Sequence, residues 1–337
     1  MQTRCPKGHR VCFCANGSSN GSFLSISSDK SDRFRLLAPQ LKHAEQDFSI
    51  LQAELPMTTL TFLAVIAAAA LHALWNAVVK GSGDTYLSMT AVMLGQAVAG
   101  LALLPFFAFP AEESWSLLAL GVFLHLGYQI FLLQSYKFGD LTQVYPIARG
   151  SAPLIVAGFS LVVLGVEMSR LEWIAILVIG LGIMSLVAVR KSDGARNGKA
   201  GLLAFATGCF IAAYSLADGM GARLTDSALG YFAWLSVLDA LLYMAVIRYL
   251  KPGTISAVPR KGKKAFFIGG GASFVAYALV VWAFTQAPIA MVTALRETSI
   301  IFALLIGVFF LNERFNFSKF LSTILTVAGA ILLRLAR

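Results

Sequence analysis

Two arginines sit where an arginine is costly to keep. Arg149 lies about two turns into an apolar run over 142–164, within Tyr-Pro-Ile-Ala-Arg-Gly-Ser-Ala-Pro. Arg296 lies about two turns into a second run over 288–311, within Ala-Leu-Arg-Glu-Thr-Ser, and each arginine follows a proline. Runs of this length can cross a bilayer, which takes roughly 20 mostly apolar residues. A cation inside such a helix is expensive, so it marks a functional site or a buried ion pair. A guanidinium offers a planar fork of donors matched to carboxylate or phosphate, which makes Arg149 and Arg296 a candidate anion site. The structural alternative is internal pairing. For Arg296 the nearest acid in sequence is Glu297, yet adjacent helix positions point about 100° apart and do not face each other.

Other polar residues share the apolar runs. His72, Trp75 and Asn76 recur at helical spacing on one face of the first run, so they form a polar stripe that would be unsatisfied against lipid. That stripe reads as a cavity wall, or else as interhelical hydrogen bonding. Tyr145 and Tyr214, with Tyr128 and Trp282, are further candidates to line a cavity, although aromatics also fill cores and anchor at interfaces. Asp239 stands midway along a run over 229–247. With Glu297 it is a candidate for proton coupling, the structural alternative being a salt bridge to Arg149 or Arg296. Glu167 and Glu313 fall at the ends of runs, where solvation or capping explains them.

The helices that must position these groups dominate the composition. The chain has 337 residues, 58% hydrophobic and 13% charged, with mean hydropathy +0.74. Soluble domains carry about 25% charged residues, so this is an integral membrane protein. The net charge of +10 would suggest nucleic acid in a soluble chain. Here most Lys and Arg fall in short loops between apolar runs and set topology, so no nucleic-acid partner is expected. No phosphate-binding Gly-x-x-x-x-Gly-Lys-Ser/Thr loop and no His-Glu-x-x-His occurs. Neither an ATP-driven pump nor a known enzyme class is called for, and no cofactor. Cys5, Cys12 and Cys14 lie near His9 without the paired spacing of a zinc site, and no metal is expected.

Residues 1–56 differ in kind: polar, rich in Asn, Gly and Ser, and without a spanning run. They read as a disordered extension, and Met57 as the natural start of the membrane protein. From there apolar runs cover 60–79, 86–109, 116–133, 142–164 and 173–189. After a basic linker over 190–199 they resume at 202–217, 229–247, 265–284, 288–311 and 320–333. The halves 57–189 and 200–337 echo each other: Trp75-Asn76 against Tyr214-Ser215, Arg149 against Arg296, Glu167 against Glu313. Five spans is an odd number, so the two halves must enter from opposite sides. The expected fold is an all-α integral membrane protein of about ten transmembrane helices in two inverted five-helix repeats.

These residues resemble the EamA-type permeases of the drug/metabolite transporter superfamily. The resemblance rests on Ala-Leu-Trp-Asn at 73–76, on the motif around Arg149, and on Gly-Val-Glu closing the fourth run. Its degenerate copy is Ile-Gly-Val-Phe-Phe-Leu-Asn-Glu-Arg at 306–314, followed by Ala328-Gly329. It covers the chain from Met57 onward and implies a permease with a central cavity lined by both halves. The expected activity is secondary transport of a small anionic or zwitterionic metabolite, such as an amino acid or organic acid, across the plasma (inner) membrane. The expected partners are that substrate and the bilayer; the oligomeric state is left open, with a monomer compatible. The alternatives are a membrane-embedded enzyme, or a channel or receptor, without a recognisable motif. Loop charges put the basic loops in the cytoplasm and both termini outside, whereas the resemblance implies cytoplasmic termini.

Overall fold

The computed structural model describes residues 57–80, 82–138, 141–166, 168–184 and 198–309, with short stretches between 321 and 335. All belong to the unit that begins at Leu51. Residues 1–56, the linker over 190–197, Glu167 and Glu313 lie outside the described residues, as does the side chain of Tyr145.

Every regular element described is helical. In chain order these are α1 (Thr59–Lys80), α2 (Thr85–Leu103), α3 (Trp115–Phe138), α4 (Leu141–Val162), α5 (Arg170–Met184) and α6 (Gly198–Arg223). Then come α7 (Ala228–Leu250), the short α8 (Thr254–Lys261), α9 (Gly271–Phe284), α10 (Ile289–Arg296) and α11 (Ser299–Phe309). A single π-helical turn, Ala265–Gly270, leads into α9. Six segments are long and apolar enough to cross a membrane: Thr59–Val79, Thr85–Phe106, Glu112–Ser135, Gly198–Arg223, Ala228–Leu250 and Ala265–Phe284.

Local chemistry starts these helices where the apolar runs begin. Thr58 Oγ1 accepts from Thr61 N at the head of α1, Asp84 Oδ1 from Leu87 N at α2, and Ser227 Oγ from Gly230 N at α7. Ser169 and Glu172 form a reciprocal capping box at α5: Ser169 N donates to Glu172 Oε2 and Glu172 N to Ser169 Oγ. Arg223 closes α9 from outside, donating from Nε to the Phe284 carbonyl and from Nη2 to that of Ala287. The Phe284 carbonyl would otherwise be among the orphans of the helix end, and that of Ala287 lies in the loop that follows.

The packing repeats itself. α3 packs on α6 as α9 packs on α1, and α4 packs on α6 as α11 packs on α1. α2 and α7 pair with each other, and they run antiparallel. Gly100 lies against Ser236 and the Ala233 carbonyl, while at the other end the Lys251 ammonium sits 5.2 Å over the Tyr86 ring. α3 and α6 are antiparallel too, since Gly121 faces Asp218, Gly127 faces Phe210, and Lys199 lies 3.9 Å over Phe138. α2 crosses the π-helical turn in backbone contact, Gly95 against Gly270 and the Phe266 carbonyl. Large apolar side chains such as Leu60, Phe123, Leu202 and Phe267 point outward, the inverse of a water-soluble surface.

One sequence expectation is corrected. The apolar run over 288–311 is not one helix: α10 ends at Arg296, Glu297 and Thr298 form a turn, and α11 begins at Ser299. Four backbone bonds there span three residues instead of four: Glu297 N to Ala294 O, Thr298 N to Leu295 O, Ile300 N to Glu297 O and Ile301 N to Thr298 O. Thr298 Oγ1 also donates to the Leu295 carbonyl at 2.8 Å. Tightening the turn in this way re-aims the two charged side chains beside it.

Candidate functional site

The broken helix brings the charged residues of the two halves together. Arg149 on α4 and Glu297 are both buried, with Arg149 Nε 2.9 Å from Glu297 Oε2. Arg149 Nη2 donates to Ser299 Oγ, the first residue of α11, at 3.0 Å. Arg296 goes the other way. Its Nη2 donates to the Tyr214 hydroxyl at 3.2 Å, and its guanidinium lies over the Tyr214 and Tyr277 rings, 5.9 and 5.8 Å from their centroids. Arg296 Nε has no hydrogen-bond partner among the described residues. Glu297 thus pairs across the halves and not with its neighbour in sequence. Internal pairing, the structural alternative for the arginines, is what Glu297 provides to Arg149.

Asp239 is buried on α7 and accepts from Gln129 Nε2 of α3 at 2.9 Å. Its Oδ1 has no partner among the described residues. The alternative salt bridge from Asp239 to Arg149 or Arg296 is not seen among the described residues.

The polar stripe of α1 folds partly on itself. Trp75 Nε1 donates to His72 Nδ1 at 3.2 Å, and Asn76 Nδ2 to the His72 carbonyl at 2.8 Å. His72, Asn76, Tyr128 and Arg149 supply the polar wall of a narrow crevice between α1, α3, α4 and α6. Leu132, Ala148 and Ile211 complete it. Trp75 is not on that wall; its ring packs into the apolar cluster with Leu87 and Met93.

A second polar group escapes the sequence reading altogether. His125 Nε2 on α3 lies 2.8 Å from Asp218 Oδ2 on α6, and the Tyr277 hydroxyl of α9 donates to the same oxygen at 2.6 Å. The His125 ring stacks on Tyr214, centroids 4.1 Å apart, so this group touches the aromatic cage of Arg296. Helical spacing could have found Gln129, which lies four residues from His125 on one face of an apolar run. Asp218 falls one residue beyond the sixth run as drawn.

Residues 59–188, and again 198–335, match the EamA-like transporter family. The chain belongs to that family. The two matches are two copies of the family's unit, separated by the basic linker. A solved crystal structure of a protein 19% identical is similar over 81% of this chain and 95% of its own, with a TM-score of 0.63. At that identity it shows a shared fold. No curated protein matches. Family membership and the membrane-length helices together make this a multi-pass membrane transporter. The outward Leu60, Phe123 and Leu202 then face lipid, and the buried polar groups face one another.

Proposed function

We propose that the protein is a secondary permease of the plasma (inner) membrane that carries a small anionic or zwitterionic metabolite, such as an amino acid or organic acid. Its path runs between two inverted five-helix repeats, ten spans in all. The antiparallel pairing of α2 with α7 supports the inversion, because an axis in the membrane plane reverses equivalent helices. The exchange-related contacts of α3 on α6 and α9 on α1 support it as well.

One observation carries the anionic substrate. Arg296 is a buried guanidinium with no carboxylate at ion-pair distance among the described residues, because Glu297, its neighbour in sequence, is turned to Arg149 of the other half. Arg296 is held by a hydroxyl and two ring faces, which stabilise a cation but do not neutralise it. A substrate carboxylate supplies the missing charge. It would bind beside Arg296 and Arg149 at the break between α10 and α11, with His72, Asn76 and Tyr128 lining the approach and Tyr214 holding Arg296. Discontinuous helices at mid-membrane are a recurrent way to build such sites in transporters.

Thermal shift on the purified protein tests this, because a ligand at about 100 times its Kd adds about 2.7 kcal/mol to stability. Amino acids and di- and tricarboxylic acids are the probes. At least one should raise the melting temperature, and amines of the same size should not. Arg149→Lys keeps the charge next to Glu297 but loses the planar fork, so it should still fold. Loss of one charged hydrogen bond, about 1.5–3 kcal/mol, weakens binding by about 10- to 100-fold. A shift given only by cationic compounds would end the anionic reading and leave the permease standing.

A further inference from the structure

We propose that His125 and Asp218, braced by Tyr277, are a proton-binding latch that sets whether the seam between α3 and α6 is closed. This rests on the permease reading and extends it to the ion that drives transport. The latch lies apart from the arginines but reaches them. Asp218 accepts from His125 and Tyr277 through one oxygen, and it is fully buried with its other oxygen unpartnered among the described residues. His125 exposes 13% of its side chain and Asp218 none, so the imidazole is the outer member of the pair. The proton adds to a ring nitrogen of His125 and turns a hydrogen bond into an imidazolium–carboxylate pair. Its loss leaves the carboxylate facing a neutral ring.

The position of the pair gives that change a mechanical consequence. His125 is on α3, Asp218 on α6 and Tyr277 on α9, so one carboxylate ties three helices that neighbour one another only in space. Gly121 sits on the same face of α3 and leaves room for Asp218; a Cβ there would lie 2.5 Å from Asp218 Oδ1. The equivalent seam, α9 on α1, has no acid–base pair among the described residues. A titratable tie on one of two seams that open in alternation biases the cycle toward one side when protonated. Titratable and charged neighbours surround the latch. α7 brings Tyr231 and Asp239, α6 brings Tyr214, α10 brings Arg296, and α4, also packed on α6, brings Arg149. Arg296 reaches it through the Tyr277 and Tyr214 rings, so a substrate anion that neutralises Arg296 changes the field at His125.

The test needs no substrate, so its failure is separate from failure of the permease reading. Spin labels are placed by Ser116→Cys and Asp226→Cys, at the end of the seam where α3 begins and α6 has ended, with Cys5, Cys12, Cys14 and Cys209 changed to Ser. The full-length protein is held in phosphatidylethanolamine/phosphatidylglycerol nanodiscs. Pulsed dipolar distances are compared at about pH 5.5 and about pH 8, the range in which histidine titrates. The distribution should be short at the lower pH and gain a longer component at the higher one. Asp218→Asn and His125→Gln should each give the same distribution at both pH values; should Asp218→Asn not fold, His125→Gln decides alone. An unchanged distribution in the unmodified pair, or a pH response that survives His125→Gln, would overturn the latch.

Discussion

Glu297→Ala should lower the stability of the purified protein by about 3–5 kcal/mol, the usual cost of leaving a buried charge without its partner. The side chain is fully buried and sits 2.9 Å from Arg149 Nε, so its removal strands that guanidinium and intensifies its repulsion with Arg296. Arg149→Met should cost a similar amount by stranding Glu297 instead. The double change removes both charges, and it should cost less than the two single changes added, with a coupling on the order of 1–3 kcal/mol. Denaturation in mixed micelles, followed by helix signal, measures all three. Single changes that cost under about 1 kcal/mol, or costs that simply add, would mean the pair is not formed in the membrane.

The second large effect is steric. A Cβ on Gly95 would overlap the Phe266 carbonyl oxygen and stand 3.0 Å from Gly270 Cα. Both obstacles are backbone, so no side chain can swing away to make room. Gly95→Ala should therefore destabilise by about 1–3 kcal/mol, and Gly95→Leu should prevent accumulation of folded protein. Gly158 on α4 is the control, because nothing lies within 4 Å of a Cβ built there. Gly158→Ala should be neutral or stabilising by up to about 1 kcal/mol, since alanine is the better helix former. The same micelle assay separates the two positions. Equal behaviour of Gly95→Ala and Gly158→Ala would contradict the close crossing of α2 on the π-helical turn.

Much of the scaffold was legible because bilayer length and helix period are properties of short stretches of sequence. The first run, read as 60–79, is a helix over Thr59–Lys80, and the run read as 229–247 is one over Ala228–Leu250. Membership of the family was legible for the same reason, since its motifs are contiguous residues. The arginines were legible because an isolated cation in an apolar run is costly wherever it ends up. What each arginine touches was not. Arg149 and Glu297 are far apart in sequence, and only the tight turn at Glu297–Thr298 aims the carboxylate across the halves. Nothing in Ala-Leu-Arg-Glu-Thr-Ser announces that turn, since none of those residues breaks a helix as proline or glycine would. Asp218 was lost to a boundary: ending the sixth run at 217 puts it in a loop, whereas α6 continues to Arg223. With Asp218 outside the membrane, His125 had no partner to suggest it.

Exchange flux tests the account at its centre. Sealed phosphatidylethanolamine/phosphatidylglycerol vesicles containing the protein are preloaded with unlabelled amino acids and di- and tricarboxylic acids, then given the same compounds labelled outside. Labelled carboxylate should enter faster than into empty vesicles. Arg296→Gln, which keeps a hydrogen-bond donor beside Tyr214 but loses the charge, should abolish that entry. Uptake no greater than in empty vesicles, or uptake undiminished by Arg296→Gln, would contradict an anion path between the two halves.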